Sequence, residues 1–144
     1  AMTDSPVTWV IAALEVITAL GIAAYWILWF RTPHDEPWLP DGYVDHEAPF
    51  VFTDTILAIV LVVAAVLQVT HESTPSAAAP VSPGRPLGES LGLIAAGMLL
   101  FLGVLDLAYF TRTGMFRREH DGVVNAGVVI GTLTLAVILI ARFV

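Results

Sequence analysis

Residues 7–30, VTWVIAALEVITALGIAAYWILWF, hold a single charged residue, Glu15. A helix that crosses the hydrocarbon core of a bilayer takes roughly 20 predominantly apolar residues. Val7 to Phe30 meets that length and is apolar on most sides, as a lipid-facing helix is. It is not read as a cleavable signal peptide: no basic segment precedes it, and no small-residue cleavage site stands before Arg31. Three further stretches match it, from about Phe50 to Val69, Leu87 to Phe110 and Val123 to Val144. The reading is a single all-α domain over residues 1–144, a four-helix transmembrane bundle of up-down topology.

Composition supports the same class. Only 13% of the 144 residues are Asp, Glu, Lys or Arg, about half the share in soluble domains, while 57% are apolar. A soluble domain of this size cannot hide that much apolar surface, which excludes a water-soluble enzyme. A net charge of -7 argues against a nucleic-acid partner. With no cysteine there is neither a disulfide nor a thiolate metal site or nucleophile.

The connections differ in chemistry. Residues 32–49 are rich in Pro and acid, residues 71–86 form a Ser/Pro/Ala tract that reads as a flexible linker, and residues 111–122 are short and basic. Arg31, Arg112, Arg117 and Arg118 lie on the side of the first and third connections, and Arg85 and Arg142 on the other. That bias places the first and third connections in the cytoplasm and the termini outside.

The chain also hints at duplication. Ala19-Leu20-Gly21-Ile22 with Phe30-Arg31-Thr32 resembles Phe101-Leu102-Gly103-Val104 with Thr111-Arg112-Thr113, and Asp54 aligns with Asn125 in the returning helices. Two parallel helical hairpins would place a site at their interface. Chance alignment of apolar helices is the other reading.

The informative residues are acids inside spans: Glu15, Asp54 and Asp106. A charge at the bilayer centre costs roughly 2.5–3.5 kcal/mol on insertion scales, so such residues face the bundle interior and find a partner. No Lys or Arg lies at their depth, which leaves protonation, neutral hydrogen-bond donors, a bound cation or water. Counted from one membrane face, Asp54, Asp106, Asn125 and the pair Tyr25 and Trp26 fall within about one helical turn of one level, flanked by Trp29 and Tyr109. Carboxylates walled by aromatic rings suit a proton, a cation or a small hydrophobic ligand. The structural alternative makes the rings an interface belt, Asp54 a helix-terminus residue and Asp106 interhelical glue. Arg31 and Arg112, just outside the layer, have side chains long enough to snorkel inward.

Glu15 sits deeper, on a stripe of Thr8, Ile11, Glu15, Thr18, Ile22, Tyr25 and Trp29 at alternating spacings of three and four. Gln68, Thr132 and Thr134 are its candidate partners. The first loop carries His34-Asp35-Glu36 and Asp45-His46-Glu47, which fit no zinc spacing and read as a solvated acidic loop. No histidine lies inside a span, so no haem, and no cofactor of any kind, is implied. Small residues, namely Gly92, Ala96, Gly97 and Gly103 in the third span and Ala12, Ala19, Gly21 and Ala23 in the first, allow close helix approach. Gly127 and Gly131 form a Gly-x-x-x-Gly face for packing within the chain or for a homodimer. The functional expectation is a protein that binds or transports a proton, cation or small hydrophobic ligand. Its competitor is an accessory or assembly subunit of a larger membrane complex. A membrane enzyme has least support, because no nucleophile or metal constellation is visible.

Overall fold

The computed structural model describes residues 5–73 and 84–144, so most of the expected linker over 71–86 lies outside the described residues. The chain folds into four long helices: α1 (Ser5–Arg31), α3 (Phe50–Ser73), α4 (Leu87–Thr113) and α5 (Gly122–Phe143). A short helix, α2 (Tyr43–Glu47), lies in the first loop, and a single 3-10 turn (Arg118–His120) in the third. All four long helices have the length and hydropathy to cross a membrane. The protein is thus an all-α integral membrane protein built as a four-helix bundle.

The long helices outrun the apolar stretches that announce them. α3 continues past Val69 to Ser73, where the Thr70 hydroxyl donates to the Val66 carbonyl at 2.9 Å. α4 ends at Gly114, whose left-handed backbone (φ 73°) lets its N–H and that of Met115 close on the Phe110 carbonyl.

Packing runs in chain order: α1 against α3, α3 against α4, α4 against α5. α1 and α5 share no comparable interface, so the bundle is a curved row of helices with a seam between its first and last members. At the centre, Leu57, Leu61, Leu99 and Leu139 are almost fully buried among Ala95, Ala96 and Ala136. Lipid is as apolar as these side chains, so close packing rather than water exclusion holds helices together in a bilayer. Small residues mark the crossings. A Cβ on Gly88 would stand 2.9 Å from the Gln68 backbone nitrogen, and one on Gly103 2.6 Å from Leu133 Cδ2. Gly92, Ala96, Ala12 and Ala19 are buried as expected, whereas Gly21, Ala23 and Gly97 are exposed.

A second cluster closes one end. Phe110, Met115 and Val129 are buried there, and Trp38, Leu39 and Tyr43 of the first loop pack onto them. The first loop therefore crosses from the α1–α3 hairpin to the α4–α5 hairpin.

Candidate functional site

Beneath that loop lies a cavity of about 670 Å³, lined by all four long helices and by Glu47 of α2. The volume is in the range of small-molecule pockets, roughly 300–1,000 Å³. Tyr25 enters from α1, Asp54 from α3, Asp106 from α4 and Asn125 from α5. Four of the residues that the depth count put at one level, Tyr25, Asp54, Asp106 and Asn125, thus line one end of one cavity, and Trp26 stands outside its lining.

Each polar side chain has a distinct setting. Asp54 Oδ2 accepts a hydrogen bond from the Trp26 indole N–H at 2.8 Å. Trp26 is buried and meets the cavity only through this bond. Asp106 lines the same cavity from α4 and, among the described residues, has no hydrogen-bonding side chain beside it like the one that holds Asp54. Asn125 gives its amide hydrogens to the Met115 carbonyl (2.7 Å) and the His120 carbonyl (3.3 Å), tying α5 to the third loop and turning its donors away from the acids. Tyr109 lies outside the cavity lining, its ring stacked on His46 at 3.9 Å between centroids.

Glu47 corrects the reading of the first loop as solvated throughout. It is only 7% exposed, lines the cavity and feels the negative charge of both Asp106 and Asp54. Tyr25 of α1 lines the same cavity. The signal that could have found it is periodicity, because Glu47, Phe50, Asp54 and Leu57 follow one another at spacings of three and four and all line the cavity. Pro49 and the acidic loop around Glu47 disguise that continuity.

Three carboxylates therefore share one cavity end. Arg31 and Arg112 are exposed and do not reach inward, and among the described residues no basic side chain pairs with Glu47, Asp54 or Asp106. The acids surround a space rather than converge on a point: no group of three or more His, Asp or Glu side chains among the described residues could hold a metal ion. The loop histidines go to aromatic surfaces. His34 lies on Trp29 at 4.2 Å and bonds its carbonyl, and His120 stacks on Trp38 at 4.9 Å.

Glu15 is separate. Fully buried, it accepts a hydrogen bond from the Gln68 amide at 3.1 Å, and the same amide donates to the Gly88 carbonyl at 3.1 Å. Glu15 Oε2 and Gln68 Oε1 have no partner. Of the three candidate partners, Gln68 is the one engaged, while Thr132 and Thr134 line the cavity.

The fold and site define a four-helix membrane protein with an acidic, aromatic-edged cavity. No family model, no curated protein and no solved structure matches the chain.

Proposed function

We propose that the cavity binds a small, positively charged ligand. The observation that carries this reading is the trio Glu47, Asp54 and Asp106 around one cavity with no basic side chain among them. A buried carboxylate group without a counter-charge is costly, and a bound cation removes that cost. Tyr25 adds a ring face at the cavity edge for cation–π contact. Asp54 and Asp106 supply the charge, Glu47 completes it, and Trp26 fixes Asp54.

Tetramethylammonium, at matched ionic strength against sodium, is the probe. It is expected to raise the unfolding temperature of the purified protein by on the order of a few degrees at saturation. Asp54→Asn and Asp106→Asn should each lose that shift while keeping the helical circular dichroism of the parent. Equal shifts in parent and variants rule the site out. The competing reading, an accessory subunit, draws on the apolar groove between α1 and α3 floored by Ala12, Ala13 and Ala65, where a partner helix could lie. It requires no cation-dependent shift at all.

A further inference from the structure

The cavity is longer than a small cation needs. Its lining runs from Tyr25 back to Leu14 along α1 and from Val124 to Ile138 along α5. At 1.5 Å per residue those spans are about 17 and 21 Å. All three carboxylates lie at one end, beside Tyr25 and Asn125. Towards the other end the wall is Leu14, Leu135 and Ile138, with Thr18, Thr132 and Thr134 adding only scattered hydroxyls.

Its boundaries are as unequal as its ends. Over the acid end the first loop is fastened down: the Trp29 indole donates to the Tyr43 hydroxyl at 3.2 Å, His46 stacks on Tyr109, and Trp38 and Leu39 pack on the α4–α5 cluster. The long side has no such cover, because α1 and α5 do not pack together. Gly21, Gly127 and Gly131 line the cavity there, and a Cβ on any of them would meet nothing within 4 Å. Val128 and Ile130 line the same side and are exposed, at 41% and 65%. In a bilayer this seam faces acyl chains.

A ligand that matches both the ends and the opening carries positive charge at one end, is apolar for the rest, and travels in the bilayer. We propose, resting on the cation-binding reading above, that the ligand is a single-chain cationic amphiphile, an amine or quaternary ammonium, that enters from the membrane between α1 and α5. Its head lies among Glu47, Asp54 and Asp106, and its chain runs past Gly127 and Gly131 towards Leu14 and Ile138. The chain gains little by leaving lipid for a cavity of similar apolarity, so it delivers the head and sets its orientation rather than adding affinity. A test must therefore read position.

The full chain in phosphatidylcholine nanodiscs is photolysed with decyltrimethylammonium bearing a terminal diazirine, and the adducts are mapped by mass spectrometry. Adducts are expected on Leu14, Leu135 and Ile138, reduced at least tenfold by Asp54→Asn with Asp106→Asn. Gly131→Leu, which fills open space in the seam, should reduce them similarly. Adducts restricted to outward residues such as Ile17 and Val137, equal in parent and acid variant, overturn the proposal. If tetramethylammonium still stabilises the parent in that case, the cation site stands and the amphiphile alone is refuted. If it does not, both readings fall.

Discussion

At the residue scale, Glu47 and Glu15 are two buried acids with opposite expectations. Glu47 faces a cavity, where replacement removes charge without disturbing a packed interior. Glu47→Gln keeps the side chain's size while removing its charge and is expected to weaken tetramethylammonium binding about tenfold, the scale of a lost charge-assisted contact. Titration of the thermal shift measures it, and an unchanged midpoint removes Glu47 from the site. Glu15 faces no cavity, and Glu15 Oε2 and Gln68 Oε1 are two acceptors left unpaired in the interior. In Glu15→Gln one oxygen still accepts from Gln68, and the new amide hydrogens can serve Gln68 Oε1. That variant should be as stable as the parent or more stable by about 1 kcal/mol. Gln68→Leu strands both Glu15 and the Gly88 carbonyl and should cost about 1–3 kcal/mol. Thermal unfolding without ligand separates the two, and a loss of stability in Glu15→Gln contradicts the pairing described. Both acids were unequally legible. Glu15, like Asp54 and Asp106, stands out because its apolar neighbours leave it no aqueous role. Glu47 sits among solvated acids, and only its spacing to Phe50 and Asp54 betrays the shared face.

At the element scale, the number, order and type of the long helices could be read from the sequence, since a run of apolar residues of membrane length admits little else. Their ends and faces could not. Hydrocarbon thickness sets the apolar stretch, whereas the helix stops at a capping geometry such as Gly114, beyond Phe110. Faces are obscured because lipid and protein interior are equally apolar, so no polar side marks the outside. Small residues are the remaining guide and they mislead half the time, because α1 and α5 each have a long interface with one neighbour only. Gly92 and Gly103 are in contact, while Gly97, Gly127 and Gly131 are open. Substitution should expose the difference. A Cβ at Gly122 would fall 2.0 Å from the Phe116 carbonyl oxygen and 2.4 Å from that of Arg117, both backbone atoms. Gly122→Ala therefore has to move the third loop and is expected to lose more than about 2 kcal/mol. Gly97→Ala meets nothing and should gain up to about 1 kcal/mol through helix propensity. Matched thermal unfolding of the two variants tests this contrast, and equal losses contradict the packing at the α5 start.

At the scale of the whole molecule, the open row of helices and the asymmetric cavity make sidedness a functional matter. The acid end lies beneath the first loop, at the membrane face that also carries the third loop with Arg117 and Arg118. The arginine bias, four against two, carries the expectation that this face is the cytoplasmic one, which labelling can test. An amphiphile entering through the seam would then be drawn from the inner leaflet, with its head at the level of the cytoplasmic headgroups and its chain pointing into the bilayer, the orientation it already has in lipid. Because the chain has no cysteine, single thiols can locate each face without background. Asp35 in the first loop and Gly84 before α4 are exposed and on opposite sides of the bundle. In intact cells a membrane-impermeant maleimide should label Gly84→Cys, and should reach Asp35→Cys only after permeabilisation. The reverse pattern would turn the cavity over and move its acid end to the outer leaflet, so that its amphiphile would have to come from outside the cell.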